Sequence, residues 1–250
     1  SRAEAQLVAM GPQGVEMGVV WVRSGDLAKQ KAFWAQLDGR AMTRGNLQLI
    51  EFKGAYVALA NGAPSGGTEG SIMNHIGFNV KHMSDWLPKW QAAGIVQATP
   101  RPTQTFLMGP DSVRVEILED TTIANPIQFH HLHWFTQAPP LDLQDWYFKH
   151  FGAVKGKRAT FDAGDIAGAN LTFTASQTPV VGTLGRSLSA VGFEVRGLEA
   201  FAKKLEADGV KIEKPYQMMG NSGVAEVMII DPWGTRISLT EGLASASTSN

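Results

Sequence analysis

The sequence predicts an α+β fold built from four copies of a strand–helix–strands module, and three observations carry that prediction. The order strand, helix, then two or three strands recurs along the chain. The two halves repeat each other at a nearly constant offset: His75 and Ala190, Phe78 and Phe193, and Gly94 and Gly209 are each 115 residues apart. Two strand-like runs of the first half also return in the second. Asn74-His75-Ile76-Gly77-Phe78-Asn79-Val80 is echoed by Ala190-Val191-Gly192-Phe193-Glu194-Val195, and Ser112–Leu118 by Thr235–Thr240.

Taken in order, Val19-Val20-Trp21-Val22-Arg23 reads as a strand from its β-branched and aromatic content. Asp26 can cap a helix running to about Leu37, where Gly39 stops it. Strands follow near 47–52 and 55–60, then a Gly/Ser/Pro-rich linker over 61–71. The His75 strand leads to a helix that Ser84 or Asp85 can cap, with Pro88 in its first turn and Gly94 at its end. Strands near 96–99, 104–108 and 112–118 close this half. The second half gives a strand at 131–135, a helix at 142–151 closed by Gly152, and strands at 159–163 and 168–174. After a loop at 178–187 come strand 188–195, a helix over 198–207 ended by Gly209, and strands near 210–213, 224–230 and 235–240. Phe33-Trp34 matches Tyr147-Phe148, and Gly67-Thr68-Glu69-Gly70 resembles Gly182-Thr183-Leu184-Gly185.

Composition narrows the partners. With 22 basic and 23 acidic residues in 250, the net charge of −1 gives no electrostatic case for nucleic acid or an anionic membrane surface. A small-molecule substrate and a monomer or homodimer fit better. The absence of cysteine excludes disulfides, thiolate zinc sites and a cysteine nucleophile. No apolar run approaches the roughly 20 residues that span a bilayer. The start at Ser1 suits either a cytoplasmic protein or one exported to the periplasm after signal-peptide removal, so the compartment stays open. The small polar tail, 244–250, is expected to be disordered.

Alternation along a strand puts His75, Gly77 and Asn79 on one face and Ile76, Phe78 and Val80 on the other, which should pack under the helices. His131 and His133 share a face likewise, with His130 pointing away, and Arg114 and Glu116 share another. Singly, each histidine reads as structural. His82 and His150 read as surface residues, and Trp86, Trp90, Trp134 and Trp146 as packing groups. The glycine-rich stretch at 66–70 lacks the Lys-Ser/Thr of a phosphate loop.

With Asn74–Val80, Gly109-Pro110-Asp111-Ser112-Val113-Arg114-Val115-Glu116 and Asp231-Pro232-Trp233-Gly234-Thr235-Arg236-Ile237-Ser238-Leu239, the chain resembles the glyoxalase / bleomycin-resistance / extradiol-dioxygenase superfamily, the vicinal oxygen chelate fold. The resemblance covers roughly 17–243. It implies four βαβββ modules forming two half-open barrels, with domains at 17–120 and 128–243. In that family paired modules hold a divalent metal through first-strand ligands and a last-strand carboxylate. The corresponding first-strand positions are Val19, His75, His131 and Ala190, and the last-strand positions Glu116 and Ser238. Pairing the middle modules with each other and the outer modules with each other collects His75, Glu116 and His131 in one barrel. Val19, Ala190 and Ser238 fall in the other. Two imidazoles and a carboxylate suit Fe(II) first, then Mn(II), Zn(II) or Ni(II). His133 is then an acid/base group or alternative ligand, and Arg114 an ion pair or a contact to an anionic substrate group.

The implied function is a metal-dependent enzyme acting on a small oxygen-rich substrate by glyoxalase-like lyase or isomerase chemistry, or by dioxygenation. The alternative is a metal-free binding or resistance protein of the same fold. Two departures bear on the reaction. The third module offers only Thr172 or Thr174 where glyoxalase I has a second carboxylate, and Phe106 stands where ring-cleaving dioxygenases have a tyrosine.

Overall fold

A computed structural model describes residues 7–244. The expectations for the first six residues and for the tail beyond Ala244 lie outside the described residues. The first module comprises β1 (Val15–Ser24), α1 (Leu27–Ala35), β2 (Arg40–Arg44), β3 (Leu47–Phe52) and β4 (Ala55–Asn61). The second comprises β5 (Met73–Val80), α2 (Leu87–Ala92), β6 (Val96–Arg101), β7 (Gln104–Met108) and β8 (Arg114–Glu119). The third holds β9 (Ile127–Thr136), α3 (Pro140–Phe151), β10 (Val154–Arg158), β11 (Phe161–Ile166) and β12 (Ala169–Ala175). The fourth holds β13 (Leu188–Val195), α4 (Leu198–Ala207), β14 (Lys211–Met218), β15 (Ala225–Ile230) and β16 (Arg236–Glu241).

These strands form two eight-stranded sheets. One runs β10-β11-β12-β9-β5-β8-β7-β6 and the other β14-β15-β16-β13-β1-β4-β3-β2. The middle modules therefore share one sheet and the outer modules the other, which is the interleaved pairing. At the centre of each sheet the two first strands run antiparallel, β5 against β9 and β1 against β13. Each sheet curls into a half-open barrel, called inner and outer below.

The alternation rule holds on both sheets. Ile76, Phe78, Leu132 and Trp134 join Val20, Val22, Val57 and Val191 in one buried hydrophobic cluster shared with the helices. Burying a large apolar side chain of this kind contributes roughly 1.5–3 kcal/mol. Trp34 of α1 meets Phe78 of β5 at 6.4 Å between ring centroids, so the two sheets pack through a common core. The opposite sheet faces line the barrels.

Several local features differ from expectation. Every module has the three strands after its helix that the βαβββ pattern implies, but β2 and β10 lie where the residue pattern shows no strand. Both are short, basic edge strands with exposed or half-exposed residues throughout, so neither carries an apolar alternation. Asp26 does cap α1, accepting from Lys29 N at 3.0 Å. Neither Ser84 nor Asp85 caps α2. Residues Met83–Asp85 form a 3-10 turn whose Met83 N donates to Glu119 Oε2 at 2.7 Å, and α2 starts after Trp86 with no side-chain cap. His150 is buried rather than at the surface, packed against Trp146 with its Nδ1 3.9 Å from Asp208 Oδ2. Among the described residues no helix is long and apolar enough to cross a membrane.

Candidate metal centre

Two β-bulges aim the inner barrel's side chains. Between Gly77 and Phe78 the β5 strand advances one residue while β9 advances two, from His131 to Phe129, which makes His130 the extra residue. Between Met73 and His75, β5 advances two while β9 advances one, so Asn74 is the extra residue there. The first bulge corrects the expected isolation of His130: its Nδ1 lies 2.8 Å from His131 Nδ1. The second brings Asn74 beside its neighbour, with Asn74 Oδ1 2.8 Å from His75 Nδ1.

Gly77, across from His131 in the pairing, is required by close approach. A Cβ there would lie 1.9 Å from His131 Cε1, so any side chain would drive the ring out of place. β8 runs parallel to β5 with Glu116 opposite Gly77, which delivers the carboxylate to the same spot.

The outcome is a buried cluster of His75, Glu116, His131 and His133 whose ligand-type atoms all lie within 4.8 Å of one another. Glu116 Oε2 is 2.9 Å from His131 Nε2 and 3.3 Å from His75 Nε2, and His133 Nδ1 is 3.1 Å from His75 Nε2. Two ligands at right angles around one ion, each bound at roughly 2.1 Å, stand about 3.0 Å apart. The spacing between the carboxylate and each imidazole matches that edge length.

Hydrogen bonding fixes how His75 presents itself. Arg114 Nη1, which can only donate, gives a hydrogen bond to Asn74 Oδ1 at 3.0 Å. Asn74 thus turns its oxygen to His75 Nδ1, which must carry the ring proton. His75 Nε2 is left with its lone pair on the side of Glu116 Oε2, 3.3 Å away. His133 completes the chain: its Nδ1 donates to His75 Nε2, and its Nε2 accepts from Thr174 Oγ1 at 2.8 Å.

Protonation follows the same logic. Burial, the largest influence, pushes the His75, His131 and His133 imidazoles below their ordinary range, so all three are neutral. For Glu116 burial opposes ionisation, but contacts with His131 and then His75 outweigh it and hold the carboxyl well below the usual carboxylate range. Neutral imidazoles and an ionised carboxylate are the forms that bind metal.

The structure brings His75, Glu116, His131 and His133 together. Arg114 is set apart from the carboxylate, over the face of Phe106 at 3.9 Å and 4.0 Å from Glu69 Oε1, and reaches the cluster only through Asn74. Of the further groups at the cluster, Phe106 is singled out by the sequence, and Gln104, Phe135, Phe161 and Arg158 are not. Gln104 Nε2 donates to Glu116 Oε1 at 2.5 Å. Phe106, Phe135 and Phe161 set aromatic rings 5.2–5.4 Å from His75 or His133. Arg158 Nη2 lies 3.4 Å from Glu116 Oε2, 3.3 Å from His131 Nε2 and 3.4 Å from His133 Nδ1. The signal for Arg158 was the module count: a third strand after the helix at 142–151 would have ended at this residue.

At the equivalent positions of the outer barrel, Val19 packs with Leu49, Tyr56, Ala58 and Val224, and Ser238 Oγ donates to Glu226 Oε1 at 2.6 Å. Ala190 lines a cavity of about 540 Å³ with Trp21, Arg23, Lys214 and Glu226. It holds no imidazole.

Among solved structures, glyoxalase I from Zea mays aligns with a TM-score of 0.72 at 13% identity, covering 92% of this chain and 94% of that one. A putative dioxygenase from Bacillus subtilis subsp. subtilis str. 168 aligns with a TM-score of 0.69 at 12% identity, covering 93% and 86%. No curated protein matches the chain in sequence. Identities this low speak for the shared fold alone. The family model of the Glyoxalase/Bleomycin resistance protein/Dioxygenase superfamily matches residues 17–239, nearly the whole chain, and the protein belongs to that superfamily.

Proposed function

We propose that the inner barrel is a single metal site of the two-histidine, one-carboxylate kind, held by His75, Glu116 and His131, and that the protein is an enzyme acting on a small oxygen-rich substrate. The observation that carries this reading is the convergence of ionised Glu116 with neutral imidazole nitrogens at 2.9 and 3.3 Å, inside a buried cluster. A divalent ion held there, Fe(II) first and otherwise Mn(II), Zn(II) or Ni(II), would supply Lewis-acid chemistry to two neighbouring oxygens of a substrate.

The chain's own groups divide the remaining work. Asn74, itself held by Arg114, keeps the His75 proton on Nδ1 and its lone pair toward the site. Gln104 orients Glu116. His133 carries a proton on Nδ1 at the edge of the cluster and is tied to Thr174 behind, which suits it to move a proton to or from substrate. Phe106, Phe135 and Phe161 give the apolar part of a substrate a wall and keep water from the reacting atoms.

Lyase or isomerase chemistry of the glyoxalase kind and dioxygenation both fit these parts. Activity screens with and without oxygen, against α-hydroxycarbonyl adducts and catechols, separate them. Turnover abolished by His75→Ala supports the proposal, and turnover untouched by that change overturns it. A metal-free binding protein is the second reading, favoured by Arg158, whose guanidinium already stands against the Glu116 charge.

A further inference from the structure

Arg158 takes no part in the proposed chemistry, yet its Nη2 lies 3.4 Å from Glu116 Oε2 and 3.3 Å from His131 Nε2, two ligand-type atoms of the cluster, with His133 Nδ1 3.4 Å away beside them. We infer that Arg158 is an exchangeable counter-cation of the metal cage, which competes with the ion for the Glu116 carboxylate and so sets how tightly the protein holds metal. The inference rests on the metal site proposed above.

Three observations support it. A guanidinium stays protonated at any accessible pH, so it cannot share the cage with a divalent ion by losing its charge and must swing away. Its strand permits that movement. Arg158 ends β10, the edge strand of the inner sheet, and the side chain is 20% exposed where Glu116 is 6%. A pivot also exists, because Nε donates to Thr172 Oγ1 at 2.9 Å and Thr172 is fixed in turn to Asn170 Oδ1 at 2.7 Å.

The outer barrel shows the same position put to another use. Arg44 pairs with Leu47 at the tip of the β2–β3 hairpin as Arg158 pairs with Phe161 at the tip of β10–β11. With no carboxylate–imidazole cage to meet, Arg44 Nη1 donates to the carbonyls of Gly242 and Leu243 at 2.7 and 3.3 Å and clamps the segment that follows β16.

The test is a competition titration of the full, chelator-stripped chain with Zn(II) and Mn(II), comparing wild type with Arg158→Met and Arg158→Lys. Arg158→Met keeps the stem and removes the charge; it should tighten binding by the order of 10–100-fold, the scale on which groups around a metal site move affinity. Arg158→Lys should stay near wild type. In the metal-free proteins, Arg158→Met should lower the melting temperature, and the deficit should disappear on metal addition. Arg158→Gln serves the same comparison if the methionine variant fails to fold. Metal affinity unchanged or weakened in the uncharged variants overturns the inference while leaving the metal site standing. Absence of binding in wild type and every variant overturns both.

Discussion

Where His131 and His133 enter the inner barrel from β9, Val19 and Trp21 occupy the same register positions on β1: His131 pairs with Gly77 as Val19 pairs with Gly192, and His133 with His75 as Trp21 with Ala190. Glu116 lies opposite Gly77 as Ser238 lies opposite Gly192. Even the bulges correspond, Ser189 standing for Asn74 and Gly18 for His130. One backbone design therefore carries a histidine–carboxylate cluster in one barrel and, in the other, apolar Val19 beside a cavity without histidine. The carboxylate of the outer barrel has moved to the neighbouring strand, where Glu226 faces Ser238 as Gln104 faces Glu116. A half-open barrel of this kind supplies position only, and three or four side chains decide whether the position is chemical.

Exchanging matched positions should break the equivalence most sharply at the ligands. His131→Ala is expected to lower metal affinity by more than about 100-fold, beyond the range that surrounding groups reach, whereas Val19→Ala should leave affinity unchanged and cost only packing. Metal titration of both variants checks this.

The paired glycines come next. A Cβ at Gly77 meets His131 at 1.9 Å, and one at Gly192 meets the Ser238 carbonyl oxygen at 2.3 Å. Each alanine should destabilise by roughly 1–3 kcal/mol in denaturant unfolding, the usual cost of overpacking. Only Gly77→Ala should also lose metal.

Asn74→Ala removes the group that fixes the His75 proton and should weaken metal binding about tenfold. Ser189→Ala, its outer counterpart, should change nothing in the same titration.

The smallest effect is in pH dependence, where the barrels pull in opposite directions. His75, His131 and His133 titrate below the ordinary 6.5, so the unfolded chain takes up protons that the folded chain refuses, and the metal-free protein loses stability as pH falls below about 6.5. In the outer sheet, burial and then the nearby Glu194 push Glu16 up to about 7 from 4.5. The folded chain holds a proton there that the unfolded chain releases, so this group's contribution declines as pH rises from 4.5 to 7. Melting temperatures across that range should fall less steeply with rising pH in Glu16→Gln, while His133→Phe should flatten the loss on the acid side.

The repeat and the shared faces of His75, His131, His133 and Glu116 were legible because they sit on buried strands whose residues alternate, while the interleaved pairing and the gathering of these residues in one barrel were implied by the family resemblance. β2 and β10 were not, because an edge strand such as Val-Lys-Gly-Lys-Arg has nothing to bury on either face. Arg158 was lost with β10. The bulges were illegible for a different reason: the extra residue at Asn74 or His130 is set by pairing with a strand more than 50 residues away, which no local pattern records. Alternation puts Arg114 on the face of Glu116, but its hold on Asn74 depends on where the bulge throws that side chain.

On the proposed function, the inner barrel binds one metal ion and the outer barrel none. Metal analysis of protein purified without chelator, followed by Fe(II), Mn(II) and Zn(II) titration of Glu116→Ala and Ser238→Ala, tests it most directly. One ion per chain is expected in wild type and in Ser238→Ala, and none in Glu116→Ala. Stoichiometric metal retained by Glu116→Ala, or no uptake by wild type, would contradict it.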